Sequence, residues 1–217
     1  MSNNTYRIVL WSSVIGAIVL AVAGMVWLAQ GGGQPKVYVP GLNEILADDH
    51  VFGKADSKVT LLEFADFECP ACGAEYPTVK KLEDAYGDKV RFVYRNFPIP
   101  GHVNGIPAAY AAGAAGNQGK FFEMAGLLFT NQGTWTAMDS ATLATTLDGY
   151  AKSMGLNMDK FHADINSDAV KAKVDKDAQS GVKAGVDSTP TFFLNGVLTQ
   201  SRTYDEFKGE LDKALAK

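Results

Sequence analysis

Hydrophobic and polar positions along the 217-residue chain follow two periods, which divide most of it into strands and helices. Lys58 to Phe67 and Val90 to Phe97 are apolar runs of the length expected for buried strands. Between them, Pro70 to Tyr86 repeats its apolar residues at helical spacing. A strand, a helix and a strand in this order predict a βαβ unit with parallel strands and a right-handed crossover.

The helix Pro70 to Tyr86 is predicted to be amphipathic. Its apolar stripe consists of Tyr76, Val79 and Leu82. Its polar face consists of Lys80, Lys81, Glu83 and Asp84. Because charged side chains are rarely buried, we expect all four to face solvent.

Residues 104–186 predict helices with no clear strand between them. The predicted helices are Ala108 to Ala115, Phe121 to Phe129, Ala141 to Met154, Asp159 to Ile165 and Asp168 to Val186. After this block, Asn195-Gly196 separates two apolar runs, which is a strong hairpin signal. Tyr204 to Ala216 predicts a last amphipathic helix, capped by Thr203 or Ser201. The pattern therefore predicts an α/β fold with a large helical insertion.

The N-terminal segment predicts one transmembrane helix. Ile8 to Ala29 carries no charge and is long enough to cross a bilayer at about 1.5 Å per residue. Arg7 precedes it and the next charge is Lys36, so the positive-inside rule favours a cytoplasmic N-terminus. A cleaved signal peptide is the alternative, although its apolar core is usually about 7–15 residues. Either way, we expect the remainder of the chain to be exported.

Length and charge limit the organisation and the function classes. We predict a membrane anchor in residues 1–30, a linker and approach in 31–50, and one domain in 51–217 with the insert at about 104–186. The net charge of −4 argues against a nucleic-acid partner. Asp48, Asp49 and Asp56 are predicted to be solvated turn residues.

Both cysteines lie in one Cys69-Pro70-Ala71-Cys72 motif, directly after the first predicted strand. Pro70 suits the first turn of a helix, because that position has no need of an N–H. Cys69 is therefore predicted at a helix N-terminus, where free N–H groups and the helix dipole stabilise a thiolate. We expect Cys69 to be exposed and nucleophilic, and Cys72 to be shielded and to close the disulfide.

Two other interpretations of the motif remain open. Half of a zinc site would need two further ligands, and only the scattered His50, His102 and His162 are present. A purely structural disulfide is the other alternative, but so short a loop removes little entropy from the unfolded chain.

Glu63 and Pro190 are two further candidate functional residues besides the cysteines. Glu63 stands inside an apolar strand, where an unpartnered carboxylate is costly. A buried carboxyl with a raised pKa could accept the proton of Cys72 during exchange; a surface position on an edge strand is the alternative. Pro190, which opens the first strand of the hairpin, is a candidate cis peptide.

These pieces together resemble the DsbA family of thioredoxin-fold proteins, and most closely its membrane-anchored BdbD type. The residues that carry the resemblance are Glu63-Phe64-x-Asp66-Phe67-x-Cys69-Pro70-x-Cys72, Arg95-x-Phe97-Pro98 with His102, Gln118-Gly119-Lys120-Phe121 and Thr189-Pro190-Thr191-Phe192. The resemblance implies a thioredoxin fold, in which a central mixed sheet is flanked by helices.

The resemblance also implies a role for each matching residue. Cys69 would be the attacking cysteine, Cys72 the resolving cysteine, Glu63 the buried acid and Pro190 the cis-proline facing them. The backbone of Thr189 would pair with an extended substrate. Substrate contact is also predicted for Pro70 and Ala71, whereas His102 and Gln118 are expected to have structural roles.

The predicted function is an extracytoplasmic thiol–disulfide oxidoreductase that introduces disulfide bonds into exported proteins. The implied partners are substrates with free thiols and a quinone-linked membrane reoxidant of the DsbB or vitamin K epoxide reductase kind. No metal, nucleotide or flavin cofactor is predicted. The alternatives are a disulfide reductase or isomerase, and a non-catalytic binding module on the same fold.

The sequence departs from the strongly oxidising members of the family within the motif. They have Pro-His between the cysteines, where this chain has Pro-Ala. Because Ala71 cannot stabilise a thiolate as histidine does, we expect a higher Cys69 pKa and a less oxidising disulfide than in those members.

Overall fold

The structure, a computed structural model, describes Trp11, Ile18 and residues 20–22, 37–42 and 44–217. Most of the predicted anchor, Ile8 to Ala29, lies outside the described residues. Within the described residues, no helix is both long enough and apolar enough to span a membrane. Val37–Lys217 forms a unit of its own, and the fold described below is that of this unit.

Five strands in the described part of the chain form one mixed sheet in the order β1-β3-β2-β4-β5. The strands are β1 (His50–Gly53), β2 (Thr60–Ala65), β3 (Arg91–Asn96), β4 (Thr191–Leu194) and β5 (Val197–Thr199). The two strands of the predicted βαβ unit, β2 and β3, are parallel, and the other three pairings are antiparallel. The predicted central mixed sheet is confirmed, with β2 in its middle.

Helices cover both faces of the sheet and fill the insertion between β3 and β4. They are α1 (Pro70–Tyr86), α2 (Gly105–Gly116), α3 (Phe121–Thr130), α4 (Gln132–Trp135), α5 (Ser140–Ser153), α6 (Met158–Ile165), α7 (Asp168–Lys183) and α8 (Tyr204–Leu215). Leu61 of β2 packs with residues of α1 and α8 on one face. Leu62 and Phe64 point to the other face, because side chains alternate along a strand.

The hairpin that ends the sheet forms where the Asn-Gly signal predicted it. Asn195 and Gly196 have φ values of 51° and 77°, in the left-handed region that these two residue types tolerate best. The Asn195 side chain also accepts a hydrogen bond from the backbone N–H of Thr60, at 2.8 Å. This contact holds the hairpin, and the Thr189-Pro190 segment before it, against β2.

The prediction that Asp49 is a solvated turn residue was wrong. Its side chain has no exposed surface and binds Arg95 Nη2 at 2.8 Å and Lys173 Nζ at 3.1 Å. These cations lie 46 and 124 residues away along the chain, so no local pattern indicates them. The segment before β1 is thereby fixed to β3 and α7 by buried ion pairs, which are costly to break from one side.

Candidate active site

Cys69 lies at the N-terminal end of α1, as the position of Pro70 predicted. It is the N-cap residue, with φ −68° and ψ 120°, and Pro70 occupies the first turn. The backbone N–H groups of Ala71 and Cys72 face its sulfur and lower its pKa. Free N–H groups at a helix start therefore stabilise negative charge on this sulfur.

The two cysteines are unequal in acidity. Both are reduced, and the Cys72 thiol hydrogen-bonds to the Cys69 sulfur. This bond is the largest reason why the pKa of Cys69 is lowered to about 5, although burial opposes it. Burial raises the pKa of Cys72 far above its ordinary value, and the hydrogen bond to Cys69 raises it further. At neutral pH the pair therefore holds one thiolate and one thiol.

The prediction that Cys69 is exposed was wrong, because the residue is buried. Only 8% of its surface is accessible, and Cys72 retains 1%. Any group that reaches Cys69 must therefore do so through a small exposed area.

The Thr189–Pro190 peptide bond is cis, and it lies against the cysteines. The Cys69 sulfur lies 3.4 Å from the carbonyl oxygen of Thr189, across 120 residues of sequence, and donates to it only while Cys69 is protonated. The hydroxyl of Thr189 is buried without a partner in the reduced site, and Thr189 lowers the pKa of Cys69. This hydroxyl is therefore available to donate a hydrogen bond to the Cys69 thiolate.

Glu63 lies on β2, in the middle of the sheet, so the alternative of an edge-strand position was wrong. Burial, together with the charges of Glu83 and Glu75, raises its pKa to about 8. Its own charge in turn raises the pKa of Cys72. Glu63 and Cys72 are therefore near enough for the charge of one to change the acidity of the other.

Gln132, on the short helix α4, is a site residue that the sequence did not indicate. Its Nε2 donates to the carbonyl oxygens of Phe67 and Cys69, both at 2.8 Å. Its Oε1 would be only 2.4 Å from a Cβ added at Gly73, so a larger residue there would displace the Gln132 side chain. The insertion thus fixes the start of α1 from outside the thioredoxin-like core.

His102 lies beside the site in the loop after β3. Its Nδ1 is 2.5 Å from Asp66 Oδ2. Burial alone would lower the pKa of His102, but the hydrogen bond to Asp66 and the charges of Asp66, Glu68 and Cys69 raise it. A protonated His102 therefore favours the Cys69 thiolate from a different loop. Gln118, by contrast, bonds both backbone groups of Asn157 and joins two helical segments.

Titration of thiolate absorbance is expected to show a midpoint near pH 5 for Cys69. The His102→Gln variant should move this midpoint upward, because it removes a positive charge near the sulfur. His162→Gln is the matched control, since His162 also pairs with an aspartate, Asp148, but lies on α6. An unchanged midpoint in His102→Gln would show that the histidine has no electrostatic role.

Comparison with known families and curated proteins places this chain among thioredoxin-like sequences. Residues 46–213 match the family described as Thioredoxin. A protein from Herminiimonas arsenicoxydans named Na(+)/H(+) antiporter NhaA is 34% identical over 186 residues, which are 86% of this chain but 28% of that protein. A protein of the same type, NhaA 1 from Mycobacterium sp. (strain KMS), is 36% identical over 153 residues, 68% of this chain and 24% of its own length. The chain thus spans about a quarter of these curated relatives.

Solved structures share most of the chain's fold. A thioredoxin-like oxidoreductase from Silicibacter pomeroyi DSS-3 has 28% identity and a TM-score of 0.65, covering 79% of this chain and 95% of that one. BdbD from Bacillus subtilis has 24% identity and a TM-score of 0.69, covering 78% and 94%. Wolbachia pipientis alpha-DsbA1 has 23% identity and a TM-score of 0.68, covering 79% and 93%.

Proposed function

Because this chain belongs to the thioredoxin family and has the DsbA-like oxidoreductase fold that its sequence predicted, we propose that it introduces disulfide bonds into exported proteins. The observation that carries the proposal is the unequal cysteine pair. A thiolate stabilised on Cys69 makes the reduced form more stable, and a stable reduced form makes the disulfide an oxidant.

The reaction begins from the Cys69–Cys72 disulfide. A substrate thiolate attacks the Cys69 sulfur, the bond between Cys69 and Cys72 breaks, and Cys72 leaves as a thiolate that takes a proton from Glu63. A second substrate thiolate then attacks the substrate sulfur of the mixed disulfide and releases Cys69 as a thiolate. The substrate loses two electrons and gains a disulfide, and the cysteine pair gains those electrons.

Unfolded polypeptide is the substrate class that suits the surface around the site. Pro70 and Ala71 are exposed beside the reactive sulfur. Val103, in the loop next to His102, has 77% of its surface accessible, and Ile106 has 43%. An extended segment pairing with the backbone of Thr189 would bring its own apolar side chains against these residues.

The proposal includes the location and the partner that the sequence predicted. Ile8 to Ala29 would anchor the chain in the cell membrane, with its N-terminus in the cytoplasm and the Cys69–Cys72 pair outside. A membrane-bound, quinone-linked oxidant of the DsbB or vitamin K epoxide reductase type would restore the disulfide. Confinement to the same membrane raises the effective concentration of the two partners.

Oxidative refolding of a reduced, unfolded disulfide protein tests the proposal. The oxidised protein should restore substrate activity with stoichiometric reduction of its own pair, and Cys69→Ser should not. In cells, alkylation trapping should find the pair mostly oxidised. A pair that is mostly reduced in cells would instead support a disulfide reductase. Failure to exchange with any protein thiol would support a binding module.

A further inference from the structure

A cavity of about 890 Å³ lies beneath the active-site helix, between α1, the sheet and α3. Glu63 lines its inner end and keeps some accessible surface there, although it lies deep in the protein. Lys80 and Glu123 line its outer end, and their side chains are 43% and 50% exposed. The cavity therefore joins the buried acid beneath Cys72 to the protein surface.

Glu83 lies on the wall of this cavity, and the prediction that it faces solvent was wrong. Only 8% of its side chain is accessible, and its single nearby cation among the described residues is Lys80, at 3.8 Å. Burial raises the pKa of Glu83 to about 7, while the charge of Lys80 opposes the rise. The charge of Glu83 is also the main electrostatic influence on Glu63. Two buried acids are thus coupled across one cavity.

Two tyrosines lie on the wall of the cavity that the two acids share. Tyr94 pairs with Glu63 in the register of β2 and β3, and its hydroxyl is buried without any partner. Tyr94 and Tyr76 both line the cavity. A cavity of this size has room for ordered water beside polar groups on its wall. The wall of the cavity therefore contains polar residues among its apolar ones.

We propose that Glu83 is a positioning residue that relays protons between Glu63 and solvent through this cavity. The inference rests on the proposed function, because it supplies the proton traffic that thiol–disulfide exchange requires. When Cys72 leaves as a thiolate, Glu63 gives it a proton and becomes a carboxylate. Glu83 then passes a proton through cavity water to Glu63, and regains one from solvent beside Lys80.

Reoxidation of the cysteine pair uses the same path, with the proton moving in the opposite direction. During reoxidation, Glu63 accepts the proton of Cys72 while the Cys72 sulfur attacks Cys69 in a mixed disulfide. The bond between Cys69 and the oxidant's sulfur breaks, the oxidant leaves as a thiolate, and the proton moves from Glu63 to Glu83 and out. The titratable and charged groups that face this path are Cys72, Glu75, Tyr76, Lys80, Asp84, Tyr94, Lys120 and Glu123.

The test uses reduced protein mixed with oxidised glutathione. The rate of the Cys72 step is measured as release of the second glutathione, across a range of pH. Glu83→Gln should slow this step by roughly tenfold, below the usual range for a direct general base because Glu83 acts through Glu63. Its pH profile should move to lower pH, because loss of the Glu83 charge lowers the pKa of Glu63. A small buffer base such as formate, admitted by the cavity, should accept the proton in place of Glu83 and restore much of the rate.

Two further variants separate a relay from a structural effect. Glu123→Gln makes the same chemical change on the α3 wall of the same cavity, and it should leave rate and profile unchanged. Glu83→Asp keeps a carboxyl and should retain the wild-type profile even if its stability falls. Formate rescue and a shifted profile are not expected from damaged packing.

The outcomes distinguish the relay from the proposed function. A Glu83→Gln rate and profile equal to wild type would overturn the relay and leave oxidative refolding untouched. Wild-type protein that exchanges with glutathione but fails to oxidise protein substrates would overturn the proposed function, while the same glutathione data would still decide the relay. Should Glu83→Gln not fold, an infrared titration of Glu63 in wild type and in Glu83→Asp tests the relay instead. The relay requires Glu63 to exchange protons with solvent, so a Glu63 carboxyl that does not titrate in either protein would overturn it.

Discussion

Replacing Cys72 with alanine is expected to abolish oxidative turnover and to raise the pKa of Cys69 well above about 5. Turnover stops because no second sulfur remains to form the disulfide or to resolve the mixed disulfide with a partner. The pKa rises because the Cys72 thiol is the largest single contributor to the stability of the Cys69 thiolate. The variant should accumulate as a mixed disulfide, seen as a thiol-sensitive adduct by mass spectrometry.

Cys72→Ser is the matched control for the two parts of this effect. It removes the resolving sulfur but keeps a hydroxyl that can donate a hydrogen bond to Cys69. We therefore expect no turnover in either variant, but a smaller rise of the Cys69 pKa in Cys72→Ser than in Cys72→Ala. Equal thiolate midpoints in the two variants and the wild type would mean that the helix N-terminus alone sets the acidity.

Glu63→Gln is expected to slow the steps that involve the Cys72 proton by roughly 10²- to 10⁴-fold, the usual range for loss of a general acid or base. The first attack at Cys69 supplies an internal control, because Glu63 is not among the main influences on the pKa of Cys69. Stopped-flow exchange with a small disulfide separates the two steps. Equal slowing of both steps would indicate a general distortion of the site instead.

Glu63→Gln, which is expected to slow exchange, is also expected to stabilise the folded protein at high pH. Burial raises the pKa of Glu63 from 4.5 to about 8, so the folded protein binds a proton there that the unfolded chain loses above its own pKa. The stability contributed by this proton is therefore fully present below about pH 4.5 and is lost as pH rises through about 8. Glu63→Gln should remove this dependence and should unfold at higher denaturant than wild type above pH 8. The gain is about 5 kcal/mol at most.

The features that the sequence predicted correctly have local signals. The Cys69-Pro70-Ala71-Cys72 motif indicates a helix start directly, because the N–H groups of a first turn have no partner within the helix and proline, which lacks an N–H, is tolerated there. Asn195-Gly196 indicates a hairpin because these residue types tolerate positive φ. The position of Glu63 inside an apolar strand was likewise enough to predict a buried acid.

Glu83 shows how a local signal was present but was interpreted wrongly. Tyr76, Val79 and Glu83 are spaced by three and four residues, so the helical period places them on one stripe. The charge of Glu83 led us to expect that it faces solvent. Glu83 instead lies on the buried side, as the helical period indicates, because the cavity and Lys80 accommodate its carboxyl there.

Other features of the site had no signal in the sequence at all. Gln132 lies 65 residues after Phe67 and 63 residues after Cys69 in the sequence. It reaches their carbonyl oxygens only because the insertion folds back over the start of α1. The strand β1 has four residues and no clear alternation, and it forms because the edge of β3 pairs with it. Contacts that close over such distances follow from the tertiary fold, not from neighbouring residues.

The reduction potential of the Cys69–Cys72 pair, measured by equilibration with glutathione, tests the central claim most directly. A Cys69 pKa of about 5 predicts a disulfide less oxidising than DsbA, at about −120 mV, but clearly more oxidising than thioredoxin, at about −270 mV. A potential at or below that of thioredoxin would contradict the claim that a stabilised thiolate makes this pair an oxidant.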